Sequence, residues 1–198
     1  MTRTALRTPV VGSLLRGLAR VFLRATRWQI DGEPPALKKY IALGVPHTSA
    51  WDFAYLLALG YAADVDVHWM GKHTMFARPI GPLMRWLGGI AVDRRRGARA
   101  ARQVIRAFRD CEELVVFISP EGTRRRAEGW KRGFLLIARG ARVPIACAYL
   151  DYRRRAGGFG PVIGPSGDDQ ADFEPMRQFY GRVTARHPDG VSPLRLLD

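Results

Sequence analysis

The sequence contains few of the residues that cross-link a chain or bind a metal ion. It has two cysteines and four histidines in 198 residues, and Cys111 and Cys147 do not form a CxxC pair. Disulfide frameworks and zinc sites need several such residues at characteristic spacings. We therefore expect no disulfide and no metal site, and we expect both cysteines to be buried as small apolar side chains.

Long apolar runs are also missing. No segment reaches the roughly 18 to 20 consecutive apolar residues that a membrane-spanning helix requires. Residues 9–28 are apolar and basic, but arginines interrupt them, and they lack the uninterrupted apolar centre of a secretory signal. We expect this N-terminal segment to be retained and no part of the chain to cross a bilayer.

Negative charge is scarce relative to positive charge. The chain has 32 lysines and arginines against 18 aspartates and glutamates, a formal net charge of +14, and a pI near 10.9. The resulting field attracts polyanions, so anionic lipid surfaces and nucleic acids are the two main classes of partner. With 47% apolar residues and a length typical of one domain, the chain is expected to fold around a single core.

The N-terminal segment has the pattern of an amphipathic helix. On a projection of about 100° per residue, arginines gather on one side and apolar side chains on the other. We assign residues 1–30 to a helix that contacts the membrane and residues 31–198 to one globular domain. The alternative is a surface helix packed against the domain's own core. The arginines are Arg16, Arg20, Arg24 and Arg27, and the apolar residues are Val11, Leu14, Leu15, Leu18, Val21, Phe22 and Ala25.

The rest of the chain alternates short apolar runs with helical patterns. This alternation predicts an α/β fold, in which a largely parallel or mixed sheet is flanked by helices. Strands are predicted at residues 40–45, 65–70, 90–92, 114–118 and 143–149, and helices at 53–63, 96–110, 131–139 and 174–186.

A histidine and an aspartate stand at the turn after the first predicted strand. His47 follows the strand, and Asp52 lies five residues later in the first turn of the predicted helix. A carboxylate beside one imidazole nitrogen fixes the tautomer and leaves the other nitrogen free to accept a hydroxyl proton. The alternative is a loop histidine and an acid favoured by the helix dipole.

A second group of polar residues follows the strand predicted at 114–118. It is Glu121-Gly122-Thr123-Arg124, in which glycine permits close approach of the backbone and arginine can grip a phosphate. Glu121 either orients an arginine, binds a hydroxyl or is a simple turn carboxylate. The tetrapeptide therefore indicates an anion site.

Taken together, these groups resemble the glycerolipid acyltransferase family, which includes the 1-acylglycerol-3-phosphate acyltransferases. Four ordered blocks carry the resemblance, which extends over about residues 40–149 and is more specific than any single block. The blocks are residues 47–52 (HTSAWD, fitting HxSxxD), 88–94 (GGIAVDR), 120–124 (PEGTR) and 143–145 (VPI).

The resemblance implies roles for the matched residues. His47 is expected to be the general base and Asp52 its orienting partner, and Arg94 and Arg124 are expected to contact an acceptor phosphate. Lys72 and Lys131 are further candidates for contacts to the donor or the phosphate. The full set of predicted substrate-binding residues is Lys72, Arg94, Glu121, Gly122, Thr123, Arg124 and Lys131.

The resemblance also implies an activity. The expected reaction moves a fatty acyl group from acyl-CoA or acyl carrier protein to a hydroxyl of lysophosphatidic acid or a related lysophospholipid. No metal and no tightly bound cofactor are expected, because the thioester is a co-substrate. The enzyme is expected to bind anionic lipid peripherally at the cytoplasmic face of the cell membrane.

Two other functions remain open. Four residues in or next to the blocks depart from the usual family residues, which leaves open an acceptor without glycerol phosphate, such as an amino-lipid. A basic nucleic-acid-binding domain would also suit the charge, but the sequence has no recognised nucleic-acid motif. The four departures are Pro46, Ala91, Ser119 and Arg125.

Overall fold

Strands and helices alternate along most of the chain in a computed structural model that describes residues 4–93 and 97–197. Two short 3₁₀ helices occupy His73–Phe76 and Pro188–Gly190. The strands are β1 Gln29–Ile30, β2 Lys39–Gly44, β3 Val67–Lys72, β4 Gly89–Val92, β5 Leu114–Ile118, β6 Ile145–Asp151 and β7 Ala156–Ile163. The helices are α1 Val11–Ala25, α2 Trp51–Ala62, α3 Gly81–Trp86, α4 Gly97–Asp110, α5 Gly133–Ala141 and α6 Asp169–Tyr180.

The strands form one seven-stranded sheet in the order β1-β7-β6-β2-β5-β3-β4. Every neighbouring pair is parallel except β6 and β7, which are antiparallel. This arrangement confirms the predicted single α/β domain with a mixed sheet. Since β2 lies between β5 and β6, the segments that follow these three strands emerge at the same edge of the sheet.

Alternate residues of the central strands face two different cores. Ile41 and Leu43 of β2 pack with the apolar sides of α4 and α5 on one face. Tyr40 and Ala42 point to the other face, where α2 approaches the sheet so closely that Gly60 faces Val67. Each buried aliphatic side chain contributes about 1.5 to 3 kcal/mol, so both layers are held against the sheet.

Helix α1 presents three faces, where two were predicted. Ala19 and Leu23 are buried against α2, whereas Leu14, Leu18 and Val21 remain exposed at 60%, 55% and 63%. The arginines occupy the third side. The predicted separation of arginines from apolar residues is therefore correct, but the apolar side is divided between the protein's own core and solvent. In the described part of the chain, no helix is both long and apolar enough to cross a bilayer.

The C-terminal part differs from the sequence prediction. Strand β7 was missed because the glycines and proline in its sequence are typical of loops. Helix α6 begins at Asp169, five residues before the predicted start, because the Asp168 side chain accepts hydrogen bonds from the amides of Gln170 and Ala171. Of the two cysteines, Cys147 is buried and Cys111 is half-buried, and both are free thiols.

Candidate active site

The predicted base lies in the loop between β2 and α2. Residues 45–50 form this loop at the carboxyl end of the central strand, and His47 is its third residue. The amide of Trp51 donates to Ser49 Oγ at 3.2 Å, while Ser49's own amide donates to Asp52 at 2.9 Å. These two hydrogen bonds hold the turn that leads into α2, whose N-cap residue is Ala50, next to the histidine.

His47 and Asp52 are in direct contact. Nδ1 of His47 lies 3.1 Å from Oδ2 of Asp52, and the side chains are 23% and 5% exposed. The same Oδ2 accepts the amides of Thr48 and Ser49, each at 2.9 Å. The carboxylate is therefore held by its own loop, and the contact leaves Nε2 of the imidazole as the nitrogen available to a substrate.

Tyr152 completes the environment of Asp52 and was not predicted. It follows β6, and its phenol donates to Oδ1 of Asp52 at 2.6 Å. Its ring packs edge-on against Trp28 and lies near Tyr55, which itself stacks on Trp28. Tyr152 stands 100 residues from Asp52 and lies outside the four sequence blocks, so only the pairing of β6 with β2 brings it to the site.

The surroundings of Asp52 favour its charged form. Burial raises the pKa of this carboxyl, but the hydrogen bonds from His47, Tyr152 and Ser49 outweigh burial, and the resulting pKa lies below the usual value. Burial and the bond to Asp52 raise the pKa of Tyr152, so this phenol is a neutral donor at physiological pH. Asp52 is thus a carboxylate able to stabilise an imidazolium.

Glu121 lies beneath the histidine. Its Oε2 accepts the backbone amide of His47 at 3.0 Å, and the residue is only 2% exposed. Its other oxygen has no hydrogen-bond partner among the described residues. Burial raises the pKa of Glu121, while the His47 amide and the nearby Ser192 act in the opposite direction. The geometry thus places Glu121 behind the loop that carries His47.

A cavity of about 670 Å³ opens beside the pair. Its interior is apolar and runs between α2 and the sheet, past residues such as Phe53, Leu56, Phe117 and Phe159. Seven of the nine predicted site residues line it: His47, Asp52, Lys72, Gly122, Thr123, Arg124 and Lys131. Glu121 does not, and Arg94 lies outside the described residues.

Cations concentrate at one side of this cavity. Lys72, Arg124 and Lys131 are exposed, and their side chains form no salt bridge with another described residue. Gly122 has a positive φ of 66°, a conformation that glycine adopts readily. A Cβ at this position would lie 3.6 Å from Lys131 Nζ, so the lysine approaches the backbone of the third block, residues 120–124. The site therefore combines a histidine–aspartate pair, a cationic rim and an apolar interior.

A C-terminal segment supports the active-site loops. The amide of His187 donates to Thr48 Oγ1 at 3.2 Å, and the hydroxyl of the buried Ser192 accepts the amide of Ala127 at 3.0 Å. The segment thus connects the histidine loop to the loop that follows Arg124. Sequence reasoning missed this support because residues 187–197 have no regular periodicity.

Comparison with known proteins identifies the family of this chain. The family model described as Acyltransferase matches residues 35–151. Among solved structures, the chain is similar to the 1-acyl-sn-glycerophosphate (LPA) acyltransferase PlsC from Thermotoga maritima, with 18% sequence identity and a TM-score of 0.59. The alignment covers 86% of this chain and 75% of that chain, and it shows a shared fold. No curated protein sequence matches. The family-model match extends over more than half of the chain, which therefore belongs to the acyltransferase family.

Proposed function

We propose that this acyltransferase moves a fatty acyl group from a thioester donor, acyl-CoA or acyl carrier protein, to a hydroxyl of lysophosphatidic acid or a related lysophospholipid. One observation carries the proposal. The contact between His47 and Asp52 lies in the wall of a cavity with a cationic rim and an apolar interior.

The chemistry begins with the acceptor hydroxyl hydrogen-bonded to Nε2 of His47. As the oxygen attacks the thioester carbonyl, its proton moves to the imidazole, and Asp52 stabilises the resulting imidazolium. A carbon–oxygen bond forms, the tetrahedral intermediate collapses, and the carbon–sulfur bond breaks. The thiolate that leaves takes up the proton from His47, so the base is regenerated.

General base catalysis by one side chain supplies about 10² to 10⁴ in rate. Positioning of both substrates has to supply much of the rest. The elements that hold His47 support such positioning, because its ring contacts Asp52 and its backbone amide donates to Glu121. Two different segments of the chain thus fix the base before a substrate enters.

The cationic rim is suited to an acceptor that carries a phosphate. Arg124 offers a planar pair of donors for a phosphate, and Lys72 and Lys131 add positive charge. Thr123 and the backbone at Gly122 line the same region. Arg94 remains a predicted phosphate contact from the family pattern.

The apolar interior is suited to a fatty acyl chain. Its walls include Phe53, Leu56 and Phe117, and apolar surface removed from water contributes roughly 25 cal/mol per Å². An acyl chain lying between α2 and the sheet would have its carbonyl end toward His47. Neither the reaction nor the acyl chain requires a metal or a bound cofactor in this proposal.

The proposed location is the cytoplasmic face of the cell membrane, bound peripherally. The exposed apolar residues and arginines of α1 support contact with an anionic lipid surface. Both the lysophospholipid acceptor and the product reside in such a surface.

One experiment tests the function directly. Purified protein is incubated with a panel of lysolipids and with either acyl-CoA or acyl carrier protein thioester, and mass spectrometry identifies the products. We expect an acylated glycerophospholipid. Acylation of only a non-phosphate acceptor, such as an amino-lipid, would replace the proposed acceptor, and no acyl transfer with any pair would contradict the proposal.

A further inference from the structure

Most of the large apolar side chains that face solvent belong to two segments. Four of them lie at the start of α1 or on its outer side, and three lie between β3 and the end of α3. The first group is Val10, Leu14, Leu18 and Val21, exposed at 83%, 60%, 55% and 63%, and the second is Met75, Ile80 and Leu83, exposed at 48%, 57% and 49%. Single exposed apolar residues are ordinary, but their concentration marks an interaction surface.

Hydrogen bonds join these two segments. The amide of Ala5 donates to the carbonyl of Trp86 at 2.7 Å. The indole of Trp86 donates to Thr8 Oγ1 at 3.1 Å. Trp86 ends α3, and Thr8 precedes α1 by three residues. The start of α1 is therefore held against the end of α3, although the two are separated by most of the first half of the chain.

Positive charge accompanies the apolar side chains on both segments. Arg20 and Arg24 on α1 and Arg78 beside Ile80 are exposed, and none of the three forms an ion pair with a described residue. Arg85 lies over the ring of Phe76, 5.5 Å from its centroid. Apolar residues among unpaired arginines are the combination that binds the interface of an anionic bilayer.

The second segment also reaches the active-site cavity. Lys72 ends β3 and Met75 lies in the following 3₁₀ helix, and both line the cavity. The chain then continues through Ile80 and Leu83 to Trp86. One end of the segment thus borders the cavity, and the other end contacts the start of α1.

From these contacts we propose that residues 73–86 and the outer side of α1 form one docking surface for an anionic lipid bilayer. This surface places the cavity entrance beside Met75 against the membrane. Ile80 and Leu83 enter the headgroup boundary, while Arg20, Arg24 and Arg78 meet lipid phosphates. The inference rests on the proposed lipid acceptor. It adds residues 73–86 as a second segment that contacts the membrane, besides α1.

The test removes apolar contact from the second segment alone. We expect the double variant Ile80→Ser with Leu83→Ser to bind vesicles of phosphatidylglycerol and phosphatidylcholine at least about ten-fold more weakly than the wild type in a sedimentation assay. Neither residue lines the cavity, so activity on a detergent-dispersed lysolipid should be unchanged. That retained activity also shows that the variant is folded.

A matched control lies elsewhere on the molecule. Leu136 on α5 and Val162 on β7 are exposed at 51% and 46%, and changing both to serine removes similar apolar surface. This control should bind vesicles like the wild type. Arg78→Gln gives an independent readout. It should bind vesicles more weakly than the wild type at low salt, and this difference should disappear at high salt.

Three results would overturn the inference. Unchanged vesicle binding by the Ile80→Ser, Leu83→Ser variant would remove residues 73–86 from the membrane contact, as would an equal loss in the control. If wild-type protein transferred acyl groups in detergent but did not bind vesicles, the docking surface would be wrong while the proposed reaction stood.

Discussion

The phenolic oxygen of Tyr152 lies 2.6 Å from Oδ1 of Asp52, on the side of the carboxylate opposite His47. Both oxygens of Asp52 therefore accept hydrogen bonds before a substrate arrives. The guanidinium of Arg186 lies over the Tyr152 ring, 5.7 Å from its centroid. We expect Tyr152 to be a positioning residue, because its hydrogen bond reaches the predicted base His47 only through Asp52.

Replacing Tyr152 by phenylalanine should lower turnover by roughly ten-fold, the scale of one hydrogen bond to a charged group. The phenol lowers the pKa of Asp52, so its loss raises that pKa, and the turnover of the variant should fall further below that of the wild type as the pH is lowered. Steady-state kinetics across a pH series measures both effects. Tyr55→Phe is the control, because it keeps the aromatic cluster and leaves Asp52 untouched; equal profiles for both variants would exclude a positioning role.

Replacing His47 by alanine should reduce acyl transfer by at least about 10² to 10⁴ while the fold is retained. Asp52→Asn should also lose most activity, because the amide cannot stabilise an imidazolium. Product formation is measured with purified, folded protein, and His73→Ala removes an exposed histidine as a comparison. Wild-type turnover by His47→Ala would show that another group is the base.

Replacing Arg124 by alanine should raise the acceptor KM for a phosphate-bearing lysolipid. Lysine at this position should recover only part of the affinity, because an ammonium group lacks the planar fork of arginine. Arg125 is also exposed but does not line the cavity, so Arg125→Ala is the matched control. An unchanged acceptor KM and turnover in Arg124→Ala would remove this residue from the acceptor site.

Replacing Glu121 by glutamine should change how stability depends on pH. The folded-state pKa of Glu121 lies above its ordinary value of 4.5, so its favourable contribution is complete below pH 4.5 and is lost as pH rises through the folded pKa. Glutamine does not titrate and can still accept the His47 amide. The Tm of Glu121→Gln should therefore rise relative to the wild type as pH increases from about 4 to 8. The exposed Glu128→Gln is the control variant. A Tm difference between Glu121→Gln and the wild type that stays constant across this range would contradict the titration of the buried Glu121 carboxyl.

Replacing Arg20 and Arg24 together by glutamine should weaken binding to anionic vesicles. Each basic residue near an anionic leaflet contributes on the order of 1 kcal/mol at most, and salt screens it. Arg16 is left unchanged because it bonds Asp64 at 3.0 Å, so its replacement would also remove an ion pair within the protein. Arg106→Gln with Arg109→Gln on α4 makes the same charge change on the opposite side of the sheet. Sedimentation at several salt concentrations should separate the two variants; equal loss in both would indicate a general charge effect.

Much of the fold and of the candidate site could be predicted from residues that are neighbours in the sequence. The five strands predicted from apolar runs are all present, each within two residues of its predicted start. His47 and Asp52 meet because a strand-to-helix turn brings residues five positions apart into hydrogen-bonding distance. Such features depend on periodicity and on short-range hydrogen bonds, both of which are determined by neighbouring residues.

Distant contacts were decided only by the tertiary structure. Tyr152 reaches Asp52 across 100 residues, and Glu121 reaches the His47 amide across 74; both contacts depend on which strands become neighbours in the sheet. The helical pattern of α1 correctly separates arginines from apolar residues, but it cannot say that Leu23 is buried while Val21 is exposed. Periodicity determines which side chains share a face of a helix, whereas the elements packed against that face determine which of them water still reaches.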